Sequence, residues 1–345
     1  MHRRIRNILV AVIAETAFLA ILAFTGSAQQ GPPPAKGKAK AAAQTKSAPA
    51  NPVLAAAEVH TLKVNDSVYM IVGPGGNTTV QVGEMGVLVV DTQYDESADK
   101  IIAEIRKLSS KPIRYIINTS FDLDHTGGNE KLNKAGAPVI GGNLGAAATQ
   151  RGAALIAHEN VLNRMSAPAG KQAPRPEGSW PQTTYFEGQK EVYFNGEAVV
   201  VMQHKGHTDG DSIVWFRKSD VVSTGDLFMT TTYPVINLEA GGNVNGVIEG
   251  LNHVLDIAIP EHEQEGGTMI IPGHGRLCDE HDVLEYRDMV TIIRDRVQAM
   301  IKKNMTLEQV KAANPTKEYD PRWGSKTGPW TTDMFVEAVY KSLKK

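Results

Sequence analysis

The stretch NTSFDLDHTGGN, residues 118–129, places three candidate metal ligands within four positions, directly after a predicted buried strand at 113–118. Asp122, Asp124 and His125 offer carboxylate oxygens and an imidazole nitrogen, which are donors that zinc and iron take from proteins. Asp124 and His125 are neighbours, so in an extended chain their side chains would point to opposite sides. The Thr-Gly-Gly that follows allows a turn that brings both to one side. The stretch therefore predicts a metal-binding loop.

Three more polar stretches, GHT, GD and PGHG, contain His207, Asp226 and His274, and each follows a predicted strand. In layered sheets, ligand sites form in the loops beyond the ends of strands. We therefore expect these residues to meet the first loop at one point. The six candidates supply three imidazoles and three carboxylates, which is enough for one metal, or for two closely spaced metals if Asp226 bridges them.

The order of the predicted elements indicates two similar halves. Short strands from about residue 55 form a meander that precedes a helix and a buried strand, and strands around an Asn195-Gly196 hairpin precede a helix and a strand again. This order predicts two sheets packed on each other with helices outside, in a single domain. The other predicted elements are a strand at 138–142, helices at 97–108, 144–165, 244–257, 283–303 and 333–343, and a helix that begins at Thr306.

Taken in order, the polar stretches resemble the signature of the metallo-β-lactamase superfamily, which is His-x-His-x-Asp-His, then Gly-His-Thr, then Gly-Asp, then Gly-His-Gly. Asp124-His125, His207, Asp226 and His274 match it, and so do the flanking TGGN, GHTDGDS, STGDLF and IPGHG. The resemblance covers about residues 58–280. It implies an α+β fold of four layers, the αββα sandwich, and the helices predicted at the C-terminus lie outside it. It also implies an enzyme, a metallo-hydrolase.

The first two histidines of that signature are replaced here by Ser120 and Asp122. By the resemblance, Asp124, His125 and His274 form one metal position and share Asp226 with a second, which keeps only His207 and the substituted Asp122. Three alternatives follow: Asp122 binds a second metal, only the complete position is filled, or the site is a relic. We expect one or two zinc ions, with iron or manganese favoured more than usual by the extra carboxylate.

The predicted reaction is the hydrolysis of an ester, thioester, lactone or amide by metal-activated water, with Asp124 as the catalytic residue that orients the water. An iron-dependent redox enzyme acting on oxygen or a persulfide is the alternative, and a non-catalytic binding protein with this fold is the third. Four residues near the motifs are candidates for supporting the ligands or orienting the substrate. They are Ser120, His204, Lys205 and Arg276.

The first 28 residues have the parts of an export signal: a basic start, an apolar run of 17 interrupted by Glu15, and small residues up to Ala28. We expect cleavage after Ala28 and a periplasmic or secreted protein, or a membrane-anchored one if the signal is retained. Residues 29–54 are rich in Pro, Ala and Lys and are predicted to be a disordered linker. Residues 55–282 are the predicted metallo-β-lactamase-like domain, and 283–345 a helical extension packed on it.

Charge and cysteine content limit the binding partners and the kinds of metal site that this chain can have. Residues 53–345 carry 29 basic and 37 acidic side chains, so the predicted partner is a small-molecule substrate and not a nucleic acid. Cleavage of the signal would leave no stable membrane span. Cys278 is the only cysteine, which excludes an intrachain disulfide and any multi-cysteine metal centre. A metal site in this chain must therefore be built from histidines and carboxylates.

Overall fold

The first sheet combines an antiparallel meander with parallel strands. The structure is a computed structural model that describes residues 51–139, 152–169, 172–260 and 266–344. Within these ranges the sheet runs in the order β1 to β7, antiparallel up to β4 and parallel from β4 onwards. Its strands are β1 His60–Lys63, β2 Val68–Gly73, β3 Gly76–Gly83, β4 Gly86–Val90, β5 Ile113–Ile117, β6 Ala154–His158 and β7 Thr183–Tyr185.

The second sheet runs in the order β12-β11-β10-β9-β8 and is antiparallel except for the β11/β12 pair. In chain order, the first two strands of this sheet are Gln189–Phe194 and Glu197–Gln203, and they form the predicted hairpin. In its turn, Asn195 and Gly196 have φ values of 50° and 83°. Two successive residues with positive φ are typical of a type I′ turn, for which Asn-Gly is the preferred pair. The strands are β8 Gln189–Phe194, β9 Glu197–Gln203, β10 Ser212–Phe216, β11 Val221–Gly225 and β12 Met269–Pro272.

The described helices lie on the outer faces of the two sheets, apart from short ones in connecting loops. They are α1 Pro52–Ala56, α2 Asp95–Leu108, α3 Leu123–Thr126, α4 Asn129–Ala135, α5 Glu159–Ser166, α6 Val244–Ile257, α7 Glu280–Lys302, α8 Leu307–Ala312, α9 Asp320–Trp323 and α10 Thr332–Leu343.

Alternating side chains on the central strands divide the core into layers. On β4, Leu88 and Val90 pack between the two sheets, whereas Val87 and Val89 pack against α2 and α4. On β9, Val199 and Val201 face the space between the sheets, whereas Val200 and Met202 pack under α6, α7 and α10. Strands buried on both faces need apolar residues at every position, which GVLVV and AVVVM supply. The predicted four-layer αββα sandwich of the α+β class is confirmed.

One predicted helix, 144–165, is wrong over part of its length. Ala154–His158 is strand β6, paired in parallel with β5 and β7, and the helix that follows covers only Glu159–Ser166. A short apolar run fits a buried strand as well as a helix, and here the sheet supplies partners on both edges. Residues 144–151 and the end of the predicted strand 138–142 lie outside the described residues, and Pro138 and Val139 have no regular structure.

The C-terminal helices pack on the second sheet within the unit Ala48–Lys345. Helix α7 begins at Glu280, just before the predicted boundary at residue 283, with a capping box between Asp279 and Asp282. The capping box predicted at Thr306 is present at the start of α8. In α10, Phe335 is fully buried and stacks on Tyr233 at 4.6 Å between ring centroids. Among the described residues, no helix is long and apolar enough to cross a membrane.

Candidate metal centre

The loops after three strands carry four of the candidate ligands to one edge of the two sheets. Asp124 and His125 lie in the short helix α3, which follows β5, whereas Asp226 follows β11 and His274 follows β12. One donor atom from each of these four residues lies within 4.8 Å of the other three. Helix α3 resolves the problem of adjacent ligands, because its turn brings Asp124 and His125 to the same side.

The distances between these donors suit a single shared cation. His125 Nε2 lies 3.2 Å from Asp226 Oδ1. His274 Nε2 lies 3.4 Å from Asp124 Oδ2 and 3.5 Å from Asp226 Oδ1. Two imidazole nitrogens and two carboxylate oxygens are a donor set that zinc, iron and manganese accept.

Two of these donor atoms are buried without a hydrogen-bond partner. His125 Nε2 and Asp226 Oδ1 both lack one among the described residues, although the residues are only 1% and 9% exposed. Buried polar atoms are nearly always paired, because an unpaired one costs about 1–3 kcal/mol. Two unpaired donors that face each other across 3.2 Å are the arrangement expected of two ligands of one cation. The residues present fit a metal ion.

Asp91 fixes the orientation of the His125 ring, and the sequence analysis did not single it out. Its carboxylate lies 2.8 Å from His125 Nδ1 and accepts hydrogen bonds from the backbone and hydroxyl groups of Thr119. Nδ1–H therefore points at Asp91, which leaves the Nε2 lone pair for a metal. The available signal was a carboxylate directly after the apolar strand GVLVV. Asp91 has a φ of 60°, a conformation that aspartate tolerates better than most residues.

Glycine is required where the loops approach Asp226 most closely. A Cβ on Gly273 would lie 2.2 Å from Asp226 Oδ1 and 2.8 Å from the carbonyl oxygen of Gly225. Neither neighbour has room to withdraw, because Asp226 is buried between the His125 and His274 rings. The glycine before His274 therefore lets the β12 loop lie against the β11 loop.

The arm that departs from the family signature is closed by a hydrogen-bonded pair. His207 Nε2 lies 2.8 Å from Asp122 Oδ2, and His207 Nδ1–H donates to the carbonyl of Val235 at 2.9 Å. Burial alone lowers the pKa of His207, but the hydrogen bond to Asp122 and the nearby carboxylates raise it to about 10. Burial raises the pKa of Asp122, and the His207 contact outweighs it and leaves that pKa lowered.

Ser120 supports this arm as a hydrogen-bond donor. Its hydroxyl donates to Asp122 Oδ2 at 2.9 Å. No imidazole among the described residues is hydrogen-bonded to this hydroxyl, so no base is in place to make it a nucleophile.

The other supporting candidates have contacts away from the four-ligand cluster. His204 Nε2 lies 2.9 Å from His253 Nδ1. Burial, with a smaller contribution from His253, lowers the pKa of His204 to about 4. Lys205 is exposed. Arg276 forms a two-bond ion pair with Asp282 of α7, which explains why its guanidinium does not reach the ligands.

A cleft of about 950 Å³ opens over the cluster, and neither His204, Lys205 nor Arg276 lines it. Among the described residues, Arg175 and Lys341 are the lysine or arginine side chains that line it. The Arg175 guanidinium donates to Thr126 Oγ1 and lies 6.0 Å from the centre of the Phe121 ring. No carboxylate of the described chain lies within 4.0 Å of this guanidinium. The sequence analysis missed Arg175 because it stands in a Pro-rich loop without a motif.

Two further groups line the cleft, and no sequence motif marks either of them as part of a site. The Tyr94 ring stands at its edge, and burial, followed by the charge of Asp124, raises the pKa of its hydroxyl. The C-terminal helix α10 and the segment before it form one wall. Trp180, Tyr185 and Tyr233, which could have lined the mouth of a pocket, are absent from the cleft, and Tyr185 and Tyr233 are buried in the core.

Comparison with known proteins agrees with this geometry. The family model of the metallo-beta-lactamase superfamily matches residues 72–275. A metallo-beta-lactamase from Pontibacter korlensis is 14% identical with a TM-score of 0.50, and the match covers 68% of this chain and 99% of that one. The DIM-1 metallo-beta-lactamase is 16% identical with a TM-score of 0.50, and that match covers 68% of this chain and 97% of that one.

A longer protein with the same fold is the stereoselective inverting sec-alkylsulfatase Pisa1 from Pseudomonas sp. It is 14% identical with a TM-score of 0.59, and the match covers 82% of this chain. The present chain spans about half the length of that sulfatase, because the match covers 50% of it. At these identities the likeness concerns the fold. Because the family model covers more than half of the sequence, the chain belongs to the metallo-beta-lactamase superfamily, and the prediction of a metallo-hydrolase family member is confirmed.

Proposed function

We propose that the protein is a metal-dependent hydrolase of ester, thioester, lactone or amide bonds, with its metal held by Asp124, His125, Asp226 and His274. The observation that carries this proposal is the convergence of four donors within 4.8 Å, two of them buried and unpaired. The large cleft over these donors supports a small-molecule substrate.

A divalent metal bound there would supply a nucleophilic water at neutral pH and a Lewis acid for the carbonyl oxygen. Zinc accepts this donor set, and the two carboxylates also suit iron or manganese. Asp91 holds the ring of His125 in the tautomer that can bind the metal. The carboxylate of Asp124, which is only partly buried, orients the attacking water from the open side.

Two cleft residues are placed to act on the substrate. Tyr94 keeps its proton at neutral pH because its pKa is raised, so its hydroxyl can donate to a developing oxyanion. Arg175 keeps its charge and has no paired carboxylate in the described chain, so its guanidinium can orient an anionic group of the substrate. Asp122 Oδ2 already accepts hydrogen bonds from His207 and Ser120, so Oδ1 is the Asp122 oxygen that can accept a proton from the substrate.

The hydrogen-bonded Asp122–His207 pair supports one metal per chain. A second metal at this arm would have to displace the proton between the two side chains and find further ligands, and Ser120 is a poor one. We therefore infer one equivalent of bound metal in the wild-type protein and in Asp122→Ala, and none in Asp226→Ala. Elemental analysis of protein purified without a metal-binding tag measures this. Two equivalents in the wild type, falling to one in Asp122→Ala, would show that Asp122 binds a second metal.

The activity is tested with a panel of p-nitrophenyl esters, a thioester, a lactone, an anilide and an alkyl sulfate, before and after removal of metal with a chelator. We expect turnover of a carbonyl substrate that is lost with the chelator, restored by the metal, and lowered at least about 100-fold in Asp124→Asn. Bound iron with oxygen consumption and no hydrolysis would favour the redox alternative. A metal-free protein without turnover would favour a non-catalytic binder.

Export is a separate proposal that rests on the N-terminal sequence, which lies outside the described residues. We infer that the chain is cleaved after Ala28 and released to the periplasm or the exterior. The mature N-terminus, read by sequencing the protein from a fractionated bacterial host, is expected to be Gln29. Recovery of intact Met1 in the membrane fraction would show a retained anchor instead.

A further inference from the structure

One wall of the cleft is built by a single stripe of the C-terminal helix α10. Met334, Glu337, Ala338 and Lys341 line the cleft, and their spacing of three, four and seven residues places them on one helix face. The family match ends at residue 275, so this wall comes from the part of the chain that the family signature does not cover.

Apolar side chains from other segments line the same cleft as this stripe. Val235 and Leu238 come from the segment between β11 and α6. Leu123 stands next to Asp122 and Asp124 at the metal end and is 57% exposed, and Met334 is 42% exposed. Large apolar side chains left open in an active-site cleft indicate an apolar ligand.

The apolar space is elongated in the direction of α10. A second cavity of about 520 Å³ shares Leu238, Glu239 and Lys341 with the cleft and continues as far as Lys344. From Met334 to Lys344 the helix rises about 15 Å, at about 1.5 Å per residue. Because the two cavities share these residues, we treat them as one groove from the metal ligands to the end of α10, and a groove of this length can hold an extended chain.

The charge of Glu337, which lies on the α10 side of the groove, is paired within the protein. Its carboxylate accepts hydrogen bonds from Lys311 at 2.7 Å and from Lys341 at 2.6 Å. Lys344, at the far end, lies 5.1 Å from the centre of the Tyr340 ring, and Glu239, which lines both cavities, is exposed to solvent. Because Glu337 is neutralised by two lysines, contact with the apolar groups beside it favours an uncharged chain there.

We propose that the substrate is an ester or thioester with a linear aliphatic acyl chain, and that α10 forms one side of the acyl groove. The inference rests on the proposed hydrolase function, because the chain is positioned by the groove while the carbonyl reaches the metal ligands. The acyl chain would run from Leu123 between Leu238 and Met334 towards Ala338.

Chain length is the property that this groove predicts. A fully buried methylene contributes about 0.8 kcal/mol, or about fourfold in affinity. Because the groove is open to solvent on one side, we expect at least about tenfold higher kcat/KM for p-nitrophenyl octanoate than for p-nitrophenyl acetate. The difference should appear mainly in KM.

Met334→Glu tests the groove, and Ile292→Glu is its matched control. Both residues are apolar, lie on helices and have similar exposure, 42% and 40%, but Ile292 does not line the groove. Met334→Glu is expected to lower the ratio of kcat/KM for the octanoate to kcat/KM for the acetate at least about tenfold, while Met334→Leu keeps the wild-type ratio. Ile292→Glu should behave as the wild type with both esters.

A binding measurement separates failure of the groove from failure of the hydrolase. Calorimetric titration of the metal-free protein with sodium decanoate and sodium acetate should show tighter binding of decanoate, and Met334→Glu should remove the difference. Hydrolysis without any chain-length preference would overturn the acyl groove and leave the hydrolase. Decanoate binding in a protein that hydrolyses no ester would overturn the hydrolase and leave the groove as a site for acyl chains.

Discussion

Replacing Asp91 by asparagine tests whether this carboxylate prepares His125 for a metal. Asp91 is 2% exposed and accepts three hydrogen bonds, from Thr119 N at 2.8 Å, Thr119 Oγ1 at 2.5 Å and His125 Nδ1 at 2.8 Å. Asparagine has nearly the same shape but only one acceptor oxygen. If that oxygen keeps the hydrogen bond from the Thr119 backbone N–H, the amide NH₂ group takes the place of Oδ2 and faces His125 Nδ1. His125 must then move its proton to Nε2, which removes the lone pair that binds the metal.

The magnitude follows from the burial of this pair. Loss of a partner behind a ligating histidine costs about 10- to 100-fold in metal affinity, or about 1.4–2.7 kcal/mol. His125 is 1% exposed, so water cannot take the place of the lost carboxylate oxygen. We therefore expect Asp91→Asn to weaken metal affinity by about 100-fold, near the upper end of this range. The free energy of unfolding of the metal-free protein should fall as well, by about 1–3 kcal/mol.

The assay is a competition titration of the metal-free protein with a chromophoric zinc chelator, and Asp211→Asn is the control. Asp211 is also buried, and it accepts from the backbone and hydroxyl groups of Thr208 just as Asp91 does from Thr119. No imidazole is hydrogen-bonded to it among the described residues. In Asp211→Asn the free energy of unfolding should fall by a similar amount. Its zinc affinity should change by less than about threefold. Wild-type zinc affinity in Asp91→Asn would refute the proposed role of Asp91.

Three further predictions concern the Asp122 arm, the closest loop contact and the C-terminal helix. Folding raises the pKa of His207 from 6.5 to about 10, so the stability it contributes is fully present below about pH 6.5 and is lost as the pH rises through about 10. The melting temperature of the metal-free protein should therefore fall more steeply towards pH 10 in the wild type than in His207→Gln, and parallel curves would contradict this. Gly273→Ala should lower metal affinity at least about tenfold in the same zinc titration, because the new Cβ would lie 2.2 Å from Asp226 Oδ1; unchanged affinity would show that the loop can move. Phe335→Ala should cost about 3–5 kcal/mol in urea unfolding, because Phe335 is fully buried beneath α10, and a loss under about 1 kcal/mol would show that α10 is not part of the cooperative core.

The strand ends that carry the site were predictable because the proposed ligands stand in short motifs directly after apolar strands. The hairpin at Asn195-Gly196 and the cap at Thr306 were predictable for a similar reason, since local conformation alone favours them. The strand Ala154–His158 was not, because its backbone partners are β5 and β7, which lie far away in sequence. A run such as ALIA has no period that separates a buried strand from a helix.

The sequence by itself determined the family and the layered fold, and it placed the four proposed ligands in motifs that follow strands, because these features depend on local patterns whose order along the chain is fixed. Only the tertiary structure decided that Asp91 stands behind His125, that Asp122 pairs with His207, and that Arg175 and α10 line the cleft. Each of these contacts joins residues that are at least 34 positions apart, or forms where distant segments meet. Spacing along a chain carries no information about such contacts, since the packing of the two sheets creates them.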